Sequence, residues 1–370
     1  MNILIAGDFC PRDRVAHLFE KGDFASVLGD VKGVISEADY SIVNFECPVT
    51  KGGEKPIEKL GPNLQCSEKG MEAVKWAGFD CVTLANNHFY DFGDEGVVNT
   101  IEVCKKYGID TVGGGINIAE ASKTFYKKIG NETLAVINCC EHEFSIATDK
   151  TGGSNPLNPI QQYYAIKEAK TKAKYVLVIV HGGHEHWQLP SPRMVETYRF
   201  FIDAGADAMV NHHQHCYSGY EVYNGKPIFY GLGNFCFDKL DHRDDFWNDG
   251  YMLMLHLGDN IGFEIIPYRQ CSEKPKVVLR GNEAFDSKIE ELNAFITDKK
   301  RLKGETEKYY STSATQYGNI FEPIRNRYYM ALKYRGWLPS LISNKKKIQA
   351  KNYIYCEAHR DKLIWWLNHK

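Results

Sequence analysis

The chain has 370 residues and a mass of 42.2 kDa, with 43% hydrophobic and 25% charged residues. This composition excludes a disordered or fibrous chain and is typical of a globular protein that can bury a substantial core. Its net charge of −2 points to no polyanionic partner of the whole chain, and no run of about 18 uncharged apolar residues predicts a membrane-spanning helix.

The cysteines and the first residues bear on the cellular compartment. The 11 cysteines are odd in number and contain no C-x-x-C pair, which favours a reducing cytoplasm over a disulfide scaffold. The apolar run 2–6 is too short for a signal peptide. We therefore expect a cytoplasmic protein without an N-terminal anchor.

Strand-like and helix-like segments alternate through the first 240 residues. The patterns predict helices at 67–77, 94–107, 159–172 and 192–204, strands at 80–84, 123–129, 134–138 and 174–180, a hairpin at 221–228, and an antiparallel pair at 251–257 and 262–267. The Asn224-Gly225 pair is typical of the tight turn of a hairpin. This order predicts a layered α/β domain over residues 1–284.

Five apolar runs of this domain end in a carboxylate, an amide or an imidazole. The residues at these ends are Asp8, Glu46, Asn87-His88, His181, and the pair His213 and His215. Open α/β sheets bind ligands at the carboxyl ends of their strands, and a mixed oxygen and nitrogen set suits divalent metals. On an extended segment, residues two apart point to the same side, so both rings of the pair should face one cavity and His212 should point away.

In this order the five blocks resemble those of calcineurin-like metallophosphoesterases. Longer strings resemble one branch of that group, the CapA family of bacterial capsule and poly-γ-glutamate synthesis proteins. They are Asn44-Phe45-Glu46-Cys47-Pro48, Leu84-Ala85-Asn86-Asn87-His88, Ala204-Gly205-Ala206-Asp207 and Tyr230-Gly231-Leu232-Gly233-Asn234-Phe235. The resemblance covers residues 2 to about 240 and implies a four-layer α/β/β/α sandwich of the calcineurin-like metallophosphoesterase type.

The resemblance also implies a ligand set for two divalent metal ions, which would be Mn, Zn or Fe. It makes Glu46 the bridging ligand, and it assigns Asp8 and His215 to one ion and Asn87, His181 and His213 to the other. His88 matches a histidine that contacts the substrate and is implied to be catalytic. Asp91 is the second catalytic candidate: it either orients the His88 ring or N-caps the helix that begins near residue 94.

Two positions depart from the pattern of the family. Cys10 stands where most calcineurin-like enzymes have a histidine, and it is either a soft metal ligand or a small buried hydrophobe. We favour the second interpretation. Gly182 replaces the usual tryptophan of the block His181-Gly182-Gly183-His184-Glu185, so the shape of the pocket should differ. Glu185 is then a supporting or a substrate-facing residue.

Four further residues are candidates for supporting the site or binding substrate. Asn44 precedes Glu46 in its block, and Asn234 either donates to a site carboxylate or satisfies a turn. Arg12 and Arg193 lie in loops near predicted strand ends, where they either bind a phosphate or carboxylate of the substrate or remain solvated on the surface.

The C-terminal segment differs in composition from the rest. Residues 299–370 contain 16 Lys or Arg and 5 Asp or Glu, a balance of +11, whereas the other residues carry −13. We predict a basic, aromatic-rich helical extension over residues 285–370. It either packs on the acidic domain or uses residues 328–347 for a peripheral contact with the inner face of an anionic membrane or with an acidic polymer. No nucleic-acid motif accompanies the charge, so nucleic acid is not expected as a partner.

Two functions of different classes fit these features. The first is a metal-dependent hydrolase or transferase that acts on a cell-surface polymer or its precursor, at a phosphoester or at an amide of the poly-γ-glutamate type. The second is a non-catalytic assembly factor that binds an acidic polymer within a capsule-synthesis complex. The intact set of ligand-type residues favours the enzyme, whereas the fold alone cannot name the substrate.

Overall fold

The computed structural model describes residues 1–281, 283–313, 324, 326–355, 359 and 367. The chain separates into two compact units, Met1–Lys303 and Gly304–Lys370. The boundary that the sequence places after residue 284 stays a prediction.

Eight strands form the first sheet of the first unit. They are β1 (Asn2–Phe9), β2 (Tyr40–Phe45), β3 (Cys81–Thr83), β4 (Asp110–Val112), β13 (Asn234–Cys236), β14 (Asp249–His256), β15 (Gly262–Gln270) and β16 (Val277–Leu279). Their order is β16-β15-β14-β1-β2-β3-β4, with β13 also beside β1. The strands β1 to β4 are parallel. On the other edge of β1, antiparallel β14 pairs with Asn2 to Ile5, and parallel β13 takes over from Asp8.

Six strands form the second sheet. They are β6 (Phe125–Ile129), β7 (Glu132–Cys140), β9 (Tyr175–His181), β10 (Ala208–His212), β11 (Tyr220–Tyr223) and β12 (Lys226–Phe229), in the order β11-β12-β10-β9-β7-β6. The four central strands are parallel, and each edge strand is antiparallel to its neighbour. The strands β5 (Gly114–Gly115) and β8 (Gly153–Ser154) form a separate two-stranded ribbon.

The helices α1 (Asp13–Glu20), α2 (Ala25–Ser36), α3 (Glu68–Ala77) and α4 (Gly93–Tyr107) pack on the first sheet, and α6 (Pro159–Lys172) and α7 (Pro192–Ala204) pack on the second. The short α5 (Ile118–Ala121) contacts the ribbon, α8 (Glu283–Thr297) contacts β11, and α9 (Lys299–Ser313) follows α8 in the chain. Ile3 and Ile5 of β1 join one core cluster with Val178 of the second sheet. Leu4 and Ala6, on the opposite face of β1, join a second cluster with α1 to α4. The expected four-layer α/β/β/α sandwich is therefore confirmed.

Local sequence signals fix where several helices begin and end. The Ser67 side chain accepts a hydrogen bond from the backbone N–H of Lys69 at the start of α3. In α7, Ser191 is the capping residue, a proline follows it, and Gly205 ends the helix. The strand β3 follows α3, and the strand β10 follows α7. Candidate site residues come after the carboxyl ends of both strands.

The second unit contains helical segments. Asn326 caps α10 (Arg327–Tyr334) by accepting from the backbone N–H of Tyr329, and α11 follows at Asn344–Tyr355. Trp337 lies between them and is 69% exposed. The helical extension predicted over residues 285–370 falls partly outside the described residues. Among the described residues, no helix combines the length and the apolar character needed to cross a bilayer.

Candidate metal centre

The carboxyl ends of parallel strands from both sheets meet at one place. Asp8 is the penultimate residue of β1, which ends at Phe9. Glu46 directly follows β2 and donates its backbone N–H to the Phe9 carbonyl (2.9 Å). His181 ends β9 in the facing sheet. The side chains of Asp8, Glu46, and His181 are at most 2% exposed, so the interface of the two sheets buries them together.

One group of ligand atoms surrounds His181. Its Nε2 lies 3.0 Å from the Asn87 Oδ1, 3.0 Å from the His213 Nδ1 and 3.6 Å from the Glu46 Oε1. The ligand atoms of Glu46, His181 and His213 all lie within 4.8 Å of one another. Two atoms that each lie about 2.1 Å from one ion are roughly 3.0–3.5 Å apart, so this spacing suits one metal.

A second group shares Glu46. The His215 Nε2 lies 3.6 Å from the Glu46 Oε1, and its Nδ1 lies 3.5 Å from the Asp8 Oδ2. The ligand atoms of Asp8, Glu46 and His215 also lie within 4.8 Å of one another. The six residues that the sequence predicts as ligands therefore come together, and Glu46 belongs to both groups.

The surroundings of the Glu46 carboxylate indicate whether this cluster could hold a metal. Both oxygens are buried and have no hydrogen-bond partner, and a buried charge without a partner is strongly unfavourable. Burial and then the nearby Asp8 charge raise the pKa of Glu46 well above its usual value. A divalent cation between Glu46 and the imidazoles would compensate the charge, so the residues fit a metal pair.

Asp8 is stabilised as an anion by its surroundings. Burial acts to raise its pKa, but the neighbouring rings of His212 and His215 outweigh this effect and hold the pKa well below its usual value. The Asn44 Nδ2 donates to the Asp8 Oδ1 at 2.7 Å and lies 3.3 Å from the His181 Nδ1. Asn44 thus orients a candidate ligand from each sheet, a supporting role typical of metal sites.

Asn234 supports His215 rather than a carboxylate. Its Oδ1 lies 2.9 Å from the His215 Nδ1, and its Nδ2 donates to the backbone carbonyls of His215 and Trp247. The alternative in which Asn234 donates to a site carboxylate is therefore not seen. The contact instead fixes which nitrogen of His215 faces Glu46.

His213 and His215 do not lie on the extended segment that the sequence predicts, so that prediction is wrong. The strand β10 ends at His212, and His213 and His215 have positive φ angles of 91° and 54°. Both rings reach the site because the backbone turns through this sparsely populated region, which is typical of functional loops. His212 does not point away either, since its Nδ1 lies 3.3 Å from the Asp8 Oδ1.

A buried acid orients His88. The His88 Nδ1 lies 2.6 Å from the Asp91 Oδ2, and both side chains are at most 8% exposed. The helix α4 begins after Phe92 without a side-chain cap, so Asp91 contacts the histidine and does not cap the helix. Burial, opposed by Asp91, lowers the pKa of His88, which favours a neutral ring that donates Nδ1–H to the carboxylate.

Two residues near this cluster were not predicted from the sequence. The Lys59 side chain is 2% exposed, and its ammonium pairs with Asp91 and lies 3.1 Å from the His88 Nδ1. Asn211 is fully buried, and its Nδ2 lies within hydrogen-bond distance of the carbonyls of Gly182, His212 and Tyr230. A lysine in an unpatterned loop and an asparagine inside a strand give no periodic signal, so only the tertiary contacts show them.

Four other candidates have different surroundings. The Arg193 guanidinium is 60% exposed and pairs with Glu141, and the Arg12 guanidinium lies 3.4 Å from Asp13 at the start of α1. Cys10 is fully buried in the core cluster of the first sheet, and the structure places it in neither ligand group of the described residues. Burial opposes ionisation of Glu185, but His215, His213, His186 and His88 lower its pKa, so Glu185 lies among the site histidines.

The chain is similar to a known family and to several known proteins. A family model described as Bacterial capsule synthesis protein PGA_cap matches residues 2–239. The capsule biosynthesis protein CapA of Bacillus anthracis is 32% identical over 288 residues, covering 75% of this chain and 69% of that protein. The PGA biosynthesis protein CapA of Bacillus subtilis (strain 168) is 33% identical over 296 residues, covering 77% and 76%. A solved 5′-nucleotidase precursor from Thermus thermophilus covers 78% of this chain and 57% of its own, with a TM-score of 0.46 and 10% identity.

Proposed function

The chain belongs to the PGA_cap family of bacterial capsule synthesis proteins, and from this membership we propose that it is a metal-dependent hydrolase or transferase. Its substrate would be an anionic capsule polymer or a precursor of it, with a phosphoester or a poly-γ-glutamate-like amide as the reacting bond. One observation carries the enzymatic part of the proposal. The Glu46 carboxylate is buried without a hydrogen-bond partner between two sets of ligand atoms.

The ligand assignment follows these two sets. Glu46 would bridge two divalent ions, with Asp8 and His215 on one ion and the remaining three residues, Asn87, His181 and His213, on the other. Bound there, such ions would polarise the substrate and activate a water molecule near neutral pH. Manganese, zinc and iron all accept a mixed shell of carboxylate, amide and imidazole ligands.

The other residues of the chain would position and protonate the substrate. His88 holds its Nδ1 proton against Asp91, so its Nε2 is the nitrogen that can exchange a proton with the substrate. Glu185 and the neighbouring histidines line the site. The ligand-type side chains are buried between the two sheets, which strengthens their electrostatic interactions.

The proposal is tested by measuring metal and turnover together. Purified protein would be loaded with Mn²⁺, Zn²⁺ or Fe²⁺ and offered p-nitrophenyl phosphate, bis(p-nitrophenyl) phosphate and γ-glutamyl-p-nitroanilide, with Glu46→Gln as the control. We expect about two bound ions and turnover of one of these probes, both lost in the control. Stoichiometric metal without turnover of these probes or of poly-γ-glutamate would instead favour the assembly factor.

A further inference from the structure

A buried lysine contacts the histidine and acid that line the candidate centre. The loop between β2 and α3 contains Lys59, whose side chain is 2% exposed although the adjacent Leu60 is 83% exposed. Lysine is almost never buried unless its charge is paired. The partner is Asp91, which is itself fully buried.

The loop holds Asp91 at three points. The backbone N–H of Leu64 donates to the Asp91 Oδ2 (2.6 Å), the backbone N–H of Ile57 donates to its carbonyl (2.9 Å), and the Lys59 ammonium pairs with its Oδ1. The Oδ2 also accepts from the His88 Nδ1 at 2.6 Å. The loop residues therefore fix the position of the carboxylate that fixes His88.

The contact between His88 and Asp91 indicates which ring nitrogen of His88 carries the proton. A contact of 2.6 Å between a carboxylate oxygen and a ring nitrogen requires the nitrogen to carry the proton, so Nδ1–H of His88 donates to Asp91. The Lys59 Nζ lies 3.1 Å from the same ring nitrogen because the ammonium pairs with the other oxygen of that carboxylate. The second ring nitrogen, Nε2, is left without its proton in the neutral ring.

We propose that Lys59 is a positioning residue: its ammonium holds Asp91 in place so that His88 presents its Nε2 in one orientation. This inference rests on the proposed function for its catalytic consequence, whereas the contact itself can be tested without turnover. Removing the ammonium would leave the Asp91 Oδ1 buried without its cation, which is strongly unfavourable, so the carboxylate would change its position.

The first test uses nitrogen NMR of the full-length protein labelled with ¹⁵N-histidine. His88 is identified by the signals missing from His88→Gln. We expect the wild-type ring to show a single form protonated at Nδ1, and we expect Lys59→Met to shift or broaden both nitrogen signals. Unchanged His88 signals in Lys59→Met would overturn the proposal, whether or not the protein turns over any substrate.

Two matched variants separate the ammonium from the loop that carries it. Lys51→Met removes an exposed lysine from the same loop, and Asn63→Ala removes the hydrogen bond from the Asn63 Nδ2 to the Ile57 carbonyl. We expect both to leave the His88 signals as in the wild type. If Asn63→Ala changed them as much as Lys59→Met, the loop and not the ammonium would hold the acid, and the proposal would be wrong.

The second test applies to turnover of a p-nitrophenyl probe by the metal-loaded protein. Lys59→Met should lower kcat by about 10- to 100-fold with little change in KM, as is typical when an outer partner of a site residue is removed. In a His88→Ala background the same substitution should have no further effect. An equal loss in both backgrounds would refute the link to His88, whereas an inactive wild type would count against the proposed function and leave the NMR result standing.

Discussion

At the scale of single residues, metal binding and catalysis should be separable. His213 belongs to a ligand group, whereas His88 contacts Asp91 and follows the candidate ligand Asn87. We predict that His88→Ala keeps its bound metal and loses turnover by at least about 100-fold, the usual contribution of a general acid or base. His213→Ala should lose metal as well. Metal content by mass spectrometry and turnover on the same samples test this, and equal metal loss in both variants would make His88 a ligand.

Glu46 gives a second prediction at this scale, since its role depends on the cation. In the metal-free protein the buried carboxylate has no hydrogen-bond partner and its ionisation is unfavourable, so Glu46→Gln should leave the free energy of unfolding unchanged or raise it. Added metal at about 100 times its Kd should stabilise the wild type by roughly 2.7 kcal/mol and leave the variant unchanged. Urea unfolding with and without metal measures both. Loss of several kcal/mol in the metal-free variant would show that Glu46 has a structural role.

At the scale of elements, β1 reaches the site only because a glycine precedes Asp8. A Cβ on Gly7 would lie 1.9 Å from the Gly233 carbonyl oxygen, which accepts the backbone N–H of Asp8 at 3.1 Å. We predict that Gly7→Ala pushes β1 away from this carbonyl, displaces Asp8, and costs at least about 3 kcal/mol, in the range of severe overpacking.

Gly29 provides the control for this substitution. It is exposed in the middle of α2, and a Cβ there would meet no atom within 4 Å. Gly29→Ala should therefore raise the free energy of unfolding by about 0.5–1 kcal/mol, because alanine is the better helix former. Thermal unfolding and metal titration of both variants provide the comparison. A Gly7→Ala protein that is as stable as the wild type and binds metal normally would contradict the prediction.

The elements also show what the sequence could and could not predict. Long periodic segments such as α6 and α7 were predicted at the bounds that the structure has, because prolines and capping residues mark their starts. The helix α2 and the two-residue strands β5 and β8 were not predicted. Strands this short carry no period, and their pairing is decided by the surrounding tertiary structure.

In the candidate site, too, the features set by local sequence could be predicted, and those set by tertiary contacts could not. Its ligand-type residues could be predicted because each follows an apolar strand, and parallel strands bring their carboxyl ends to one edge. The left-handed backbone conformation of His213 and His215 could not be predicted from the sequence, since tertiary contacts impose it. Lys59 was missed for a related reason: its burial depends on Asp91, which lies far along the chain.

At the scale of the whole molecule, the helix α8 lies within the first compact unit, Met1–Lys303. Ile289, Leu292 and Ile296 are at most 5% exposed and join the core cluster of the second sheet. The Asn293 Oδ1 accepts the backbone N–H of Tyr220 in β11 at 2.6 Å. Removing the chain from residue 285 onward would therefore expose part of the core.

This packing predicts different outcomes for two truncations. Protein 1–313 keeps α8 and α9 and should unfold at the wild-type temperature in the metal-free state, with an unchanged metal affinity. Protein 1–281 loses four buried aliphatic side chains of the described residues, Ile289, Leu292, Ile296 and Leu302. Each is worth about 2–5 kcal/mol when truncated to alanine, and together they are comparable to the total stability of many domains. Calorimetry and metal titration of both proteins make the comparison, with Leu292→Ala as a milder change. If 1–281 were as stable as 1–313 and bound metal equally well, α8 would be dispensable, and the core of the first unit would be complete without it.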